Sequence, residues 1–280
     1  MGSMTAITRP VMRYHGSKFR LAEKIIGLMP EHSAYVEPFG GGAAILMRKP
    51  RVGIEVYNDL DGRVVNVFRV LQDAAMAEEL IRRLELTPFS RSEFRLARKV
   101  SDDPIEDARR MITLSGLGFS SDACTRPCST GFRTGFYRRG RSGPAKEWST
   151  YPEHIRGFIE RLQGVVIECM DGAQLIRRLD RKGTLFLCDP PYLKSVRSAV
   201  REHQRCYRHE MTDEQHVELS EVLHGIQGMA MVCGYASPLY DELYGDWRCV
   251  TFDARTHAGK VRTEVVWLSP GIQGSQLRFE

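Results

Sequence analysis

The sequence predicts an α/β protein, a mostly parallel sheet with helices on both faces and a mainly helical insertion. Three observations carry that expectation. Short apolar runs rich in β-branched residues alternate with stretches of helical period, the pattern of strand–helix–strand units. Several of these runs end in unusual polar or glycine-rich corners, Glu37-Pro38-Phe39-Gly40-Gly41-Gly42, Asn58-Asp59 and Asp189-Pro190-Pro191-Tyr192. Such corners fall where a parallel sheet presents its ligands, at the carboxyl ends of strands. Between the second and third corners, Val64 to Leu117 holds a long helical period with no strand-like run.

Ala34-Tyr35-Val36 is the first strand, and the glycines after it turn the chain into a helix expected over Ala43–Met47. Gly53–Tyr57 is the second strand. Apolar Val67, Val70 and Leu71, then Leu80, Ile81 and Leu84, recur at helical spacing, and Ser90 with Glu93 forms a capping box that opens another helix. From Ser120 to Ser149 the periodicity stops and Gly, Pro, Ser and Arg dominate, which predicts a surface loop region. Val165–Cys169 and Leu185–Cys188 are buried-type strands with a helix through Leu175 and Leu179 between them. Thr212-Asp213-Glu214-Gln215 is a second capping box, and Met229–Cys233 a further strand. Trp247–Phe252 and Val265–Leu268 read as a closing antiparallel pair around a basic turn with Arg255, His257, Lys260 and Arg262. The expected division is a catalytic and cofactor-binding domain from 4–62 and 150–280, and a helical and loop target-recognition insert over 63–149. Residues 1–3 read as a vector-derived leader, with Met4 the expected natural start.

Apolar residues make up 42% of the 280 and charged residues 27%, which excludes a disordered or collagen-like chain. No apolar run approaches the roughly 18–20 residues that cross a bilayer, and no secretory signal is present, so no membrane partner is expected. Seven cysteines are an odd number and too few for a disulfide framework of this length, which predicts free thiols and a cytoplasmic location. Cys124 and Cys128 have no second pair nearby to complete a zinc site. His209, Glu210 and His216 do not have the H-E-x-x-H spacing, so no metal is expected.

The net charge of +5 is local rather than spread. Arg126, Arg133, Arg138, Arg139, Arg141 and Lys146 lie in a stretch without an acid, interleaved with Phe132, Phe136 and Tyr137 and followed by Trp148. Lys194, Arg197, Arg201, Arg205 and Arg208 face the single acid Glu202. Either stretch alone is ordinarily a solvated charged face. Next to a nucleic-acid-binding site, both would suit phosphate contacts.

The three corners carry the chemistry. Glycines after the first strand let the backbone approach a nucleoside closely, although a tight turn alone explains them equally well. Ile45 stands where the nicotinamide fingerprint needs a small residue, so that class fits poorly. Asp59, at the end of the next strand, is placed to accept both ribose hydroxyls, or else to cap the following helix. In Asp189-Pro190-Pro191-Tyr192, two prolines remove two amide donors and leave carbonyls. The Asp189 carboxylate and the Pro190 carbonyl then form two acceptors for one NH2 group. Holding both its hydrogens favours a tetrahedral nitrogen and frees the lone pair to attack an electrophilic carbon. Tyr192 is suited to stack on a base rotated out of the duplex. The bland alternative is a proline-stiffened turn.

These corners, with Tyr14-His15-Gly16-Ser17-Lys18 ahead of them, resemble in order and content the Dam-type (alpha-group) adenine-N6 DNA methyltransferases. The resemblance runs from Val11 to Pro270 and is weak over Phe119–Ser149. It implies a Rossmann-like methyltransferase sheet, S-adenosylmethionine as methyl donor and double-stranded DNA as substrate. It also implies cofactor-binding roles for Tyr14, Lys18, Phe39, Gly40, Gly42, Asp59, Asp171 and Asp189. Asp171 is followed by Gly172 where an aromatic is usual. Asp189, Pro190 and Tyr192 match the catalytic motif, and Arg126, Arg133, Arg138, Arg139, Arg141, Lys194, Arg197 and Arg201 are the expected DNA contacts. A cognate restriction endonuclease would make the chain half of a restriction–modification pair. The insert holds no counterpart of the hairpin that Dam enzymes use for GATC, so that recognition site is not carried over. Three readings stay beside this one: cytosine-N4 methylation, disfavoured by Asp at 189; a catalytically silent DNA-binding relative; and a nicotinamide oxidoreductase.

Overall fold

A computed structural model describes residues 7–119, 123–125, 131–134, 143–196, 207–255 and 261–272. Seven strands form one sheet: β1 (Ala34–Glu37), β2 (Ile54–Asn58), β3 (Val165–Glu168), β4 (Thr184–Cys188), β5 (Met229–Gly234), β6 (Arg248–Arg255) and β7 (Val261–Leu268). Their order is β3-β2-β1-β4-β5-β7-β6. The first five pair in parallel, and β7 lies antiparallel between β5 and β6. The closing antiparallel pair read from the sequence is therefore present, and β7 begins before the predicted Val265.

The helices among the described residues are α1 (Ala22–Ile26), α2 (Gly62–Gln72), α3 (Ala74–Glu85), α4 (Arg91–Leu96), α5 (Pro104–Leu117), α6 (Pro144–Ser149), α7 (Ile155–Leu162), α8 (Gly172–Leu179), α9 (Asp213–His224) and α10 (Pro238–Tyr244). The long helical stretch breaks into α2–α5 at residues whose side chains prefer to cap. Asp73 ends α2 in an extended conformation and opens α3 by accepting from Met76 N; Ser90 caps α4, and Asp103 with Pro104 starts α5. The reciprocal capping box at Thr212 and Gln215 opens α9. None of these helices is long and apolar enough to cross a membrane.

Strand alternation divides the core into two layers. Tyr35, Tyr57, Leu185, Leu187, Met231 and Cys233 face the side covered by α1, α2, α3, α5 and α7. Val36, Val56, Phe186, Cys188, Ala230 and Val232 face α8, α9 and α10. Each wholly buried side chain of α2, such as Val64, Phe68 and Leu71, contributes roughly 1.5–3 kcal/mol by leaving water. Through α2 and α5 the helical stretch between β2 and β3 joins the same hydrophobic cluster as the sheet.

The segment after the glycine corner differs from expectation. Ala43–Met47 forms successive turns instead of an α-helix. Ala43 takes a left-handed φ of 51°, and the buried Glu37 carboxylate accepts from Leu46 N at 2.7 Å, taking an amide that a helix would use internally.

Candidate active site

From β1 the chain steps outward to β2 and β3, then returns past β1 to β4 and β5. The order reverses between β1 and β4, and a crevice opens there at the carboxyl ends of the strands. It is a cleft of about 1240 Å³, counting the space open to solvent at its mouth. Glu37–Gly42, Asp59, Asp189 and Pro191 of the three corners line it, as do Tyr14, Lys18 and Asp171, whereas Asn58, Pro190 and Tyr192 are not among its lining residues.

The glycine corner is held by the neighbouring strand. Gly40 N donates to Asn58 O at 2.7 Å, and the Tyr57 hydroxyl donates to Gly41 O at 2.8 Å. A side chain on Gly40 would begin 2.2 Å from the Tyr57 ring, so only glycine lets β1 and β2 approach this closely. Asn58, wholly buried, ties three strand ends together: its Nδ2 donates to Pro38 O (2.8 Å) and Met170 O (2.9 Å), and its Oδ1 accepts from Met170 N (2.9 Å). Asp59 accepts from Gly41 N and Asp61 N, each at 2.8 Å. Burial pushes its carboxyl up to about 6 despite those two donors.

On the far wall, Asp171 caps α8 by accepting from Gln174 N at 2.9 Å. A Cβ on Gly172 would lie 2.7 Å from the Phe39 ring. Phe39 thus fills the space where an aromatic at 172 would sit. Tyr14 packs beside Gly41 and Gly42, and burial holds its hydroxyl well above the ordinary tyrosine range.

The proline corner carries the charge. Lys18 Nζ donates to both Asp189 oxygens, at 2.8 and 2.9 Å, and to Gly16 O at 2.8 Å. It lies 4.7 Å from the centroid of the Tyr192 ring. Burial opposes the Lys18 charge, but the Asp189 and Glu264 carboxylates outweigh it and hold its pKa above the ordinary lysine value. Burial likewise raises the Asp189 pKa, against the pull of Lys18. The Tyr192 hydroxyl donates to Glu264 Oε2 at 2.7 Å, and the Tyr235 ring meets Tyr192 edge-on, 4.7 Å between centroids.

Sequence reasoning missed Glu264. The signal was a lone acid in β7 at the same parity as the core residues Val266 and Leu268. It also missed the segment Tyr207–Met211, which lines the cleft. Arg208 anchors that segment, reaching Asp61 Oδ2 at 2.5 Å and Cys124 O at 2.8 Å.

Of the expected DNA contacts, Lys194 is exposed, while Arg133 pairs with Glu147 at 2.7 Å. Arg126, Arg138, Arg139, Arg141, Arg197 and Arg201 lie outside the described residues.

A sheet with this strand order, a glycine corner and a carboxylate after the next strand on one wall, and a proline-locked acid on the other, defines a Rossmann-like methyltransferase. The family model for D12 class N6 adenine-specific DNA methyltransferases matches residues 14–257, and the chain belongs to that family. Its reaction is methylation of adenine N6 in DNA, and S-adenosylmethionine is the donor general to such enzymes. Comparison with curated proteins finds no match.

Proposed function

We propose that the cleft between β1 and β4 holds S-adenosylmethionine against the glycine corner and receives a flipped adenine at the proline corner. The observation that carries this reading is the junction of the two corners in one crevice, Asp59 on one wall and Asp189 on the other.

The residues present fit the donor. Seven carboxylates line the cleft against two permanent cations, Lys18 and Arg208, a balance suited to a sulfonium compound that also bears an ammonium group. Asp59 has one lone pair left on each oxygen for the ribose hydroxyls. Phe39, Gly40 and Gly42 would lie beside the donor's methionine moiety, Tyr14 and Lys18 would line the same pocket, and Asp171 would stand near its adenine. When bound, the donor supplies a methyl group already activated by the charge on sulfur.

The protein's own part is positioning and polarisation. Asp189 and the Pro190 carbonyl accept the two amino hydrogens, while Tyr192 stacks on the base. Lys18 keeps Asp189 ionised in its buried setting, and an ionised carboxylate retains acceptor capacity beyond the lysine contacts. Lys194 and Arg133, with the remaining arginines of 126–141 and 197–201, contact phosphates, and 63–149 serves as the target-recognition insert. Free thiols at the five described cysteines support a cytoplasmic setting.

The test is incubation with methyl-labelled donor and unmethylated genomic DNA, followed by mapping of modified bases. N6-methyladenine within one short sequence is expected. Label on cytosine N4, or no label on DNA, overturns the reading.

A further inference from the structure

Glu264 belongs to none of the motifs that identify the site. It lies on β7, which the sheet order places beyond β5, and it is only 9% exposed. Nothing in the strand requires an acid there, since its parity neighbours Val266 and Leu268 are core residues. Its Oε2 nevertheless accepts the Tyr192 hydroxyl at 2.7 Å and stands 3.9 Å from Lys18 Nζ. Lys18 in turn is shared with Asp189 at 2.8 Å. One ammonium therefore sits between two carboxylates, with the aromatic ring of the catalytic motif beside it.

The charge count matters for methyl transfer to an amine. The nitrogen lone pair forms the N–C bond as the C–S bond breaks, sulfur keeps the bonding pair, and the nitrogen carries positive charge until a proton leaves to water. Asp189 with Lys18 alone is a neutral pair, whose field largely cancels at a distance. A second carboxylate leaves this cluster with one surplus negative charge, and with Lys18 and Glu264 both buried that charge is little screened and already oriented. The same carboxylate fixes the outer end of the Tyr192 ring. We infer that Glu264 is a positioning residue for the methyl transfer, tethering Tyr192 and supplying the negative charge that the Asp189–Lys18 pair lacks. The inference rests on the reading of Asp189 and Tyr192 given above.

The test compares single-turnover methylation by the full chain and its Glu264→Gln, Glu264→Asp and Asp189→Ala variants, with thermal melting of each. Duplex DNA and S-adenosylhomocysteine serve as binding probes. Glu264→Gln keeps an acceptor for Tyr192 and removes the charge. Its transfer rate is expected to fall about tenfold, with both dissociation constants within about twofold of the unsubstituted protein. Glu264→Asp restores the charge on a shorter arm and is expected to recover part of that loss. Should the Gln variant not fold, Glu264→Asp decides alone, with about threefold slower transfer and unchanged binding expected. An undiminished rate in the deciding variant, or a loss confined to binding, overturns the inference while an inactive Asp189→Ala leaves the site reading standing. An active Asp189→Ala overturns the site reading itself.

Discussion

The Lys18 ammonium lies 2.8 and 2.9 Å from the two carboxylate oxygens of Asp189, across 171 residues of sequence. The contact joins the amino-terminal Tyr14–Lys18 segment to the proline corner after β4, and it sets the charge state of the acid. Burial, and to a smaller extent the Glu264 carboxylate, raises the Asp189 pKa, and Lys18 opposes it. Removing Lys18 takes away the main opposition to burial, leaving only the weaker pull of the Tyr192 hydroxyl, so Asp189 ionises at higher pH. Because an ionised carboxylate is the better acceptor for the amino hydrogens, Lys18→Ala is expected to move the acid limb of the pH–rate profile upward. Methylation lost at the original pH optimum should be partly recovered as the pH is raised. An acid limb at its original position would show that Lys18 does not control this group.

Asp59 gives a second pH dependence, on binding rather than rate. Desolvation pushes its carboxyl up to about 6, and the ionised form is the proposed ribose acceptor. Donor affinity is therefore full above that value and falls as pH drops through it. Glu37 lines the same cleft and is pushed by burial to about 7, so a substitution is needed to separate the two. Asp59→Asn is expected to weaken S-adenosylhomocysteine binding about tenfold at pH ~8. It should also flatten the fall near pH ~6, as read by calorimetric titration across pH. A fall that persists unchanged in the Asn variant assigns it to another group.

The legible parts of this protein were the local ones. A strand followed by glycines, or by two prolines, announces itself within a few residues, and so the corners at Glu37–Gly42, Asn58-Asp59 and Asp189–Tyr192 were placed correctly at the ends of β1, β2 and β4. Capping residues were equally plain at Ser90 and Thr212. Hidden from the sequence were contacts set by register and crossover. Glu264 reaches Tyr192 only because β7 folds back beside β5, and Arg208 reaches Asp61 from another part of the chain. Ala43–Met47 misled because its apolar run looks helical, whereas the competing acceptor for Leu46 N is a Glu37 side chain. Arg133 looked available for DNA because the run was counted to Lys146, and its ion-pair partner Glu147 is the next residue.

Gly40 tests the packing that brings the glycine corner close to β2. A Cβ there would lie 2.2 Å from the ring of Tyr57, which is wholly buried and held by its hydroxyl bond to Gly41 O. Gly40→Ala is expected to cost about 1–3 kcal/mol of unfolding free energy in urea. It should also weaken donor binding, since the corner must lift from Asn58. Unchanged stability and affinity would mean that Tyr57 can move after all.

Lys194 and Arg133 separate an exposed phosphate contact from one that must first exchange a partner. Lys194 follows the proline corner and projects into solvent, so a DNA phosphate replaces water there. Arg133 must give up Glu147, held at 2.7 Å, and the exchange of one anion for another returns less free energy. Lys194→Ala is expected to lower duplex affinity and to reduce the slope of log K against log salt by about one. Arg133→Ala should change affinity less, because the charge it loses was already balanced. Freeing that arginine with Glu147→Gln should instead tighten binding to any duplex, most strongly at low salt, where screening is weakest. Titrations of one labelled duplex at several salt concentrations decide among these. An unchanged slope in Lys194→Ala removes that residue from the interface, and an unchanged affinity in Glu147→Gln removes Arg133.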